Sequence, residues 1–239
     1  MKWWALEILW LAAYAFRELG GRLAADAQAG TVERELERDP NLLLGRDALA
    51  HAATIIEKRE SLTWPDSAPH PQDNTVAANR ATKAFLAALG WIQQHEAKHI
   101  IIDREPLAGD DLAEERACDA YATEWLLDGR RASSDLKEGT TVALFFLVLR
   151  EAIMGEGPST HPSASERVES SRITPRHAGW LAMMIDLLLQ SGGHQTPATA
   201  RSMHKPLELL AAELGALKAA LKAALKPASS KADNPKAGE

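Results

Sequence analysis

The chain is poor in several features that would commit it to common roles. It has one cysteine, Cys118, so no disulfide can form within it, which fits a reducing compartment. Valine is scarce beside alanine and leucine, so helical signals outweigh strand signals almost everywhere. No basic stripe that would neutralise a row of phosphates is present and the formal net charge is -6, which argues against nucleic acid as a partner. No apolar run reaches the ~20 residues that a membrane-crossing helix needs. The nearest, Trp3 to Phe16, contains Glu7 and is followed by Arg17, Glu18 and Arg22. We read it as a buried or partner-facing helix with Gly20-Gly21 near its end, in a cytoplasmic protein without a membrane role. Long-period repeats are absent too.

What is present suffices for one substantial core: 239 residues, 46% of them hydrophobic. The expected fold class is mainly α, with room for a small β element before the longest helix. A first helix is expected over about 3–25. The stretch Asp39-Pro40-Asn41 breaks the chain, and period alone leaves 42–60 open between a helix and a short strand pair. Pro65, Pro69 and Pro71 make a loop with fixed turns. A long helix follows over about 75–103, its apolar face drawn from Ala84, Phe85, Leu86, Leu89, Trp91 and Ile92. Pro106 and Gly109 end it. Asp111 and Glu114 have capping-box spacing, and the next helix is expected over about 111–128 with Gly129 as its stop. The apolar run within 140–151 reads as a core helix, broken by Gly155, Gly157 and Pro158, and a further helix is expected over about 175–190 before the loop Ser191-Gly192-Gly193. Near the end, Lys218, Lys222 and Lys226 share one face of an Ala/Leu/Lys helix, which reads as a solvated face. The expected divisions are an N-terminal helical segment 1–40, a main domain 41–195, a C-terminal helix 196–226 and a disordered tail 227–239.

Within the long helix, His95-Glu96-Ala97-Lys98-His99 is an H-E-x-x-H pentapeptide. Residues four apart lie on one helical face, about 6 Å apart along the axis, so two imidazoles can converge on one ion. Glu96, rotated by about 100°, can lean over the open side of that ion and take a proton from water that the ion has acidified. In a chain of this His and Glu content the pattern arises by chance about 0.02 times. The competing reading is a pair of histidines on an ordinary helix.

A catalytic zinc commonly takes three protein ligands. Downstream, Glu115 and Asp119 are four apart, with Ala122 continuing their face. Glu115 is the candidate third ligand, and Asp119 the acceptor that holds a ligand imidazole in one tautomer. Glu114 points about 100° away and is set aside. Cys118 is read as a packing residue on a different face from Glu115. In Ser159-Thr160-His161-Pro162, His161 is a candidate donor to a developing oxyanion, and Arg167 a candidate to orient that region or bind substrate backbone. The local alternative is a turn and helix start at His161-Pro162, with Arg167 on the surface.

Taken together, His95-Glu96-x-x-His99, Glu115-x-x-Cys118-Asp119-x-x-Ala122 and Thr160-His161-Pro162 with Arg167 resemble the gluzincin metallopeptidases and are similar to M48-type peptidases. The segment from Trp64-Pro65 through Pro71 into Trp91-Ile92 looks closer to the peptidase U49 family. The resemblance covers about 60–185. It implies a zinc endopeptidase of zincin-like fold acting on a protein or peptide, in bacterial defence against phage, with Zn2+ on His95, His99 and Glu115, Glu96 as base and His161 in support. Cys118 departs from the alanine usual in M48 sequences, and larger gluzincins place a sheet before the motif helix where little strand signal exists here. Competing functional readings are a structural metal in a helical interaction module, and a membrane-associated protease docking through its N-terminal helix. Oligomeric state has no signature in the sequence.

Overall fold

The computed structural model describes residues 2–29, 40–104, 110–127, 133–154, 161–171, 173–191 and Ala216. Among these, seven helices occur in the order α1 (Trp3–Ala29), α2 (Pro40–Lys58), α3 (Val76–Arg104), α4 (Asp111–Leu127), α5 (Ser134–Met154), α6 (Ala164–Ser170) and α7 (Pro175–Ser191). The fold is mainly α.

Helix α1 is the centre of the core. Every residue from Ile8 to Phe16 is buried, and a helix that is apolar all round must be covered all round. It packs against α2, α3, α5 and α7. The Trp10 indole nitrogen donates to Thr82 Oγ1 on α3 at 3.1 Å, which satisfies its one polar atom in that setting. Among the described residues no helix is long and apolar enough to cross a membrane. The helix also runs through Gly20-Gly21 to Ala29, past the expected end near residue 25, although each glycine costs a helix roughly 1 kcal/mol.

The ambiguous stretch 42–60 is helical, within α2, and the small β element allowed before the motif helix does not occur among the described residues. Pro40 opens α2, where its missing N–H costs nothing. The proline-rich loop after α2 is fastened to α1. Trp64 sets its ring edge-on to Trp10 at 5.4 Å and donates to the Ala68 carbonyl at 2.9 Å, and the Tyr14 hydroxyl donates to the Ser67 carbonyl at 3.4 Å.

Caps set the remaining helix starts. Thr75 Oγ1 accepts from Ala78 N at 3.1 Å ahead of α3. For α4 the cap is Asp110, whose Oδ1 accepts from Ala113 N at 2.9 Å, so the capping-box reading of Asp111 and Glu114 is one residue out of register and Glu114 is free for other work. Helix α5 begins at Ser134, earlier than the apolar run, because its first turns carry Asp135 and Glu138, which pair with Arg17 of α1 at 2.6 and 2.5 Å. The breaks expected at Pro106, Gly109, Gly129, Gly155, Gly157 and Pro158, the Gly192-Gly193 loop, and the C-terminal helix and tail apart from Ala216 lie outside the described residues.

Helices α3 and α5 cross at Gly139. A Cβ there would meet Ala87 Cβ at 2.2 Å and the backbone of Ala87 and Ala88 at 2.8 Å. Because backbone cannot step aside, the clash outweighs the roughly 1 kcal/mol that alanine gains over glycine in a helix. Gly139→Ala is expected to destabilise the fold by about 2 kcal/mol net, read from urea unfolding. A second expectation concerns alkali. Burial, and then the Glu18 carboxylate, push the Tyr14 hydroxyl from 10.0 up to about 12. The folded state thus holds this proton more tightly than the unfolded chain does. The associated stability is intact below pH 10 and is lost as pH rises towards 12. Tyr14→Phe should remove that part of the alkaline slope in unfolding curves.

Candidate metal centre

The centre grows out of the inward stripes of two antiparallel helices. On α3 the buried residues Ala78, Ala81, Ala84, Ala88, Trp91, Ile92 and His95 recur at helical spacing, so His95 continues the same stripe that forms the core. On α4 the stripe is Glu115, Cys118, Asp119, Ala122, Thr123 and Leu126. It is an ordinary helical stripe carrying two acids where apolar residues usually stand. Three contacts fix the register. The Trp91 indole nitrogen donates to Thr123 Oγ1 at 3.0 Å, His95 meets Asp119, and one turn later His99 meets Glu115. Each step of four on α3 is matched by a step of four back along α4.

His95 Nε2, His99 Nε2 and the Glu115 carboxylate converge. The two Nε2 atoms are 3.1 Å apart, His95 Nε2 lies 3.5 Å from Glu115 Oε2, and His99 Nε2 lies 3.4 Å from Glu115 Oε1. Ligand atoms 2.0–2.1 Å from one tetrahedral ion lie about 3.3 Å from each other, so these edges are the right length for a shared ion. Behind each imidazole stands a carboxylate: His95 Nδ1 is 3.0 Å from Asp119 Oδ1, and His99 Nδ1 is 2.7 Å from Glu114 Oε1. The His95 contact is close but lies off the line of a good hydrogen bond, leaving Nδ1 without a well-aligned partner. The donor set of two imidazoles and a carboxylate suits zinc, and three carboxylates in the centre against the one guanidinium that pairs with two of them leave an excess of acid that a divalent cation would offset.

Arg167 of α6 supplies that guanidinium. It is buried, donating through one terminal nitrogen to Glu115 Oε2 at 2.8 Å and through the other to Asp119 Oδ1 at 2.9 Å. Its Nε donates to the Pro162 carbonyl at 3.4 Å, which ties down the segment carrying His161. Neither a surface position nor contact with substrate backbone is what the structure shows for Arg167; it stands behind the carboxylates and orients them. His161 is mostly exposed, with Nε2 3.4 Å from Glu115 Oε1. Glu96 is exposed on the turn between the two histidines, beside Ile100, which is exposed as well.

Cys118 shares the buried stripe with Glu115 instead of facing elsewhere, since a step of three stays within about 60° of it. It is fully buried, and burial together with the Glu115, Glu114 and Asp119 carboxylates pushes its thiol up to about 12. It is an inert packing group at neutral pH. Glu114 is the residue that sequence reasoning set aside. Its signal was present in its place beside Glu115 at the start of α4, opposite the last turns of α3, where a long side chain can reach His99 from the flank.

With this geometry described, comparison with known proteins is decisive about family. A sequence profile of the peptidase U49 family matches residues 1–176, which take in α1 and the whole centre. The chain belongs to the peptidase U49 family. A curated relative, the cell death peptidase of Escherichia coli (strain K12), is 29% identical over 119 residues, which make up 46% of this chain and 40% of the relative. The match thus spans well under half of that relative's length. No solved structure matches.

Arg167→Ala would leave two buried carboxylates without their cation, and about 3–5 kcal/mol of stability should be lost in metal-free urea unfolding. Arg116, whose pair with Glu166 at 2.7 Å is solvent-exposed on both sides, provides the contrast. Its replacement by alanine should cost under about 1 kcal/mol.

Proposed function

We propose that this U49 family member is a zinc-dependent endopeptidase that hydrolyses peptide bonds of a protein substrate. The observation that carries this reading is the convergence of His95, His99 and Glu115, with each imidazole backed by a carboxylate and Glu96 exposed beside them. A catalytic zinc commonly takes three protein ligands, the number that this group supplies.

Zn2+ held by His95, His99 and Glu115 supplies a Lewis acid that polarises a scissile carbonyl and acidifies water. Around it, this chain's own groups act in sequence. Glu96 accepts a proton from the attacking water and returns it to the leaving amine nitrogen, acting as base and then as acid. His161 donates a hydrogen bond through Nε2 to the carbonyl oxygen as that oxygen gains charge. Arg167 and Asp119 touch no substrate; they hold Glu115 and His95 in place. The substrate is a protein or peptide, and neither nucleic acid nor a membrane enters the scheme. Family membership supports peptide-bond chemistry, and similarity to the cell death peptidase of Escherichia coli supports a part in bacterial cell death. We place that part in defence against phage, in the cytoplasm.

Metal content and proteolysis together test the reading. Wild type prepared without chelator should carry zinc near one per chain by mass spectrometry, and Glu115→Ala and His99→Ala should lose it. Glu96→Gln should keep the zinc while cleavage of a fluorogenic peptide library falls about 10²–10⁴-fold. Zinc-free wild type would sink the proposal, and unimpaired cleavage by Glu96→Gln would remove Glu96 from it.

A further inference from the structure

The two imidazoles of the centre are held in different ways. His95 is nearly sealed: it stacks on Trp91 at 5.7 Å with the planes 26° apart, and the core packs around it. The carboxylate behind it, Asp119, is shared with Arg167. His99 is less enclosed, meeting only the edge of the His95 ring at 4.9 Å, and lies near the end of α3. What it has instead is Glu114, at 2.7 Å from Nδ1.

We infer that Glu114 is a positioning residue that keeps the His99 proton on Nδ1 and so presents a bare Nε2 to the metal position. The inference rests on the metal centre proposed above. Its logic is a competition for one proton. A carboxylate can only accept, and neutral imidazole has one N–H to give. If that hydrogen sat on Nε2, it would point to His95 Nε2, 3.1 Å away, and would block the ligand atom. If it sits on Nδ1, it points to Glu114, and Nε2 keeps its lone pair. Two facts tilt the balance to Glu114. Its contact is 0.4 Å shorter than that between the two Nε2 atoms, in the range of a charge-assisted bond. A carboxylate is also a stronger acceptor than a neutral imidazole nitrogen, and among the described residues no arginine or lysine pairs with Glu114 to weaken it. Glu114 thus does for the exposed imidazole what burial against Trp91 does for the inner one.

The experiment measures zinc affinity by chelator competition, and the His99 tautomer by nitrogen-15 NMR of the metal-free full chain, in wild type, Glu114→Ala and Glu114→Gln. Half-exposed Glu114 is a mild site for the fold, and the glutamine variant keeps its shape. Wild type should show His99 with the proton on Nδ1. Glu114→Ala should weaken zinc binding about 10–100-fold and shift His99 towards the Nε2-protonated form. Glu114→Gln, whose amide oxygen accepts the same bond, should keep the tautomer and lose less affinity. An unchanged tautomer in Glu114→Ala, or zinc affinity there within about threefold of wild type, overturns the inference. Wild type that binds zinc but cleaves no peptide overturns the endopeptidase reading alone, since neither readout used for Glu114 depends on proteolysis.

Discussion

Glu115 and Asp119 lie on the buried stripe of α4, and the rest of the centre follows from that placement. A carboxylate taken out of water costs several kcal/mol unless opposite charge and hydrogen bonds replace its hydration. Here the replacements come from two directions. Arg167 reaches both acids from α6, and the imidazoles of His95 and His99 face them from α3. Replacing the acids with well-packed apolar residues would have been an easier way to fill the stripe, so an arrangement that keeps them is better understood through what they hold than through stability.

The backbone delivers these groups by ordinary means. α3 and α4 are antiparallel, and their matched steps of four bring Trp91 to Thr123, His95 to Asp119 and His99 to Glu115. The first rung is a hydrogen bond inside the core, the second and third are the metal centre, so a rigid apolar interface passes without a break into a polar one. α5 crosses α3 closely enough at Gly139 that its Cβ-free surface touches the Ala87 backbone, and α1 fills the space behind. The histidines are therefore mounted on a helix packed against α1, α4 and α5, which is what precise positioning of ligands requires.

Much of this was legible in the sequence, and the reason is periodicity. His95 with His99 and Glu115 with Asp119 are both separated by four residues, a spacing that has one geometric meaning on a helix, and the alanine- and leucine-rich segments left little doubt about helices. The places where reading failed have specific causes. For 42–60 the extra apolar residues Leu42, Leu43, Leu44, Ala50 and Ala53 blur the period, and burial of Ala48, Leu49, Ala52, Ile55 and Ile56 picks out the helical stripe that α2 turns to the core. The first helix, read to about residue 25 with Gly20-Gly21 near its end, runs on to Ala29. For Arg167 the sequence left orienting the region, binding substrate backbone and a surface position all open, and its partners, 48 and 52 residues away, lie beyond any local pattern. Glu114 was read as the less likely ligand from its angle about its own helix axis; its contact with His99 was not foreseen, because that partner lies on another helix and a flexible side chain spans the difference.

The distribution of exposure around the centre has a directional consequence. Everything that fixes the ligands is on the inner side: Asp119 and Arg167 are buried, and Trp91 backs His95. Everything assigned to chemistry or approach, Glu96, His161 and the neighbouring Ile100, is on the outer side and exposed. On the proposed reading, a substrate approaching from that exposed side would meet Glu96 and His161 beside the metal position. The two sides also differ in what a mutation costs. Changes on the inner wall strand a buried charge and are paid in folding energy, while changes on the outer wall leave the core intact and alter only the reaction. His99 sits on the boundary, its ring half-buried and its outer nitrogen held by a carboxylate that is itself partly open to water. That makes the Glu114 side of His99 the point at which solvent conditions can reach the metal position without unfolding the bundle.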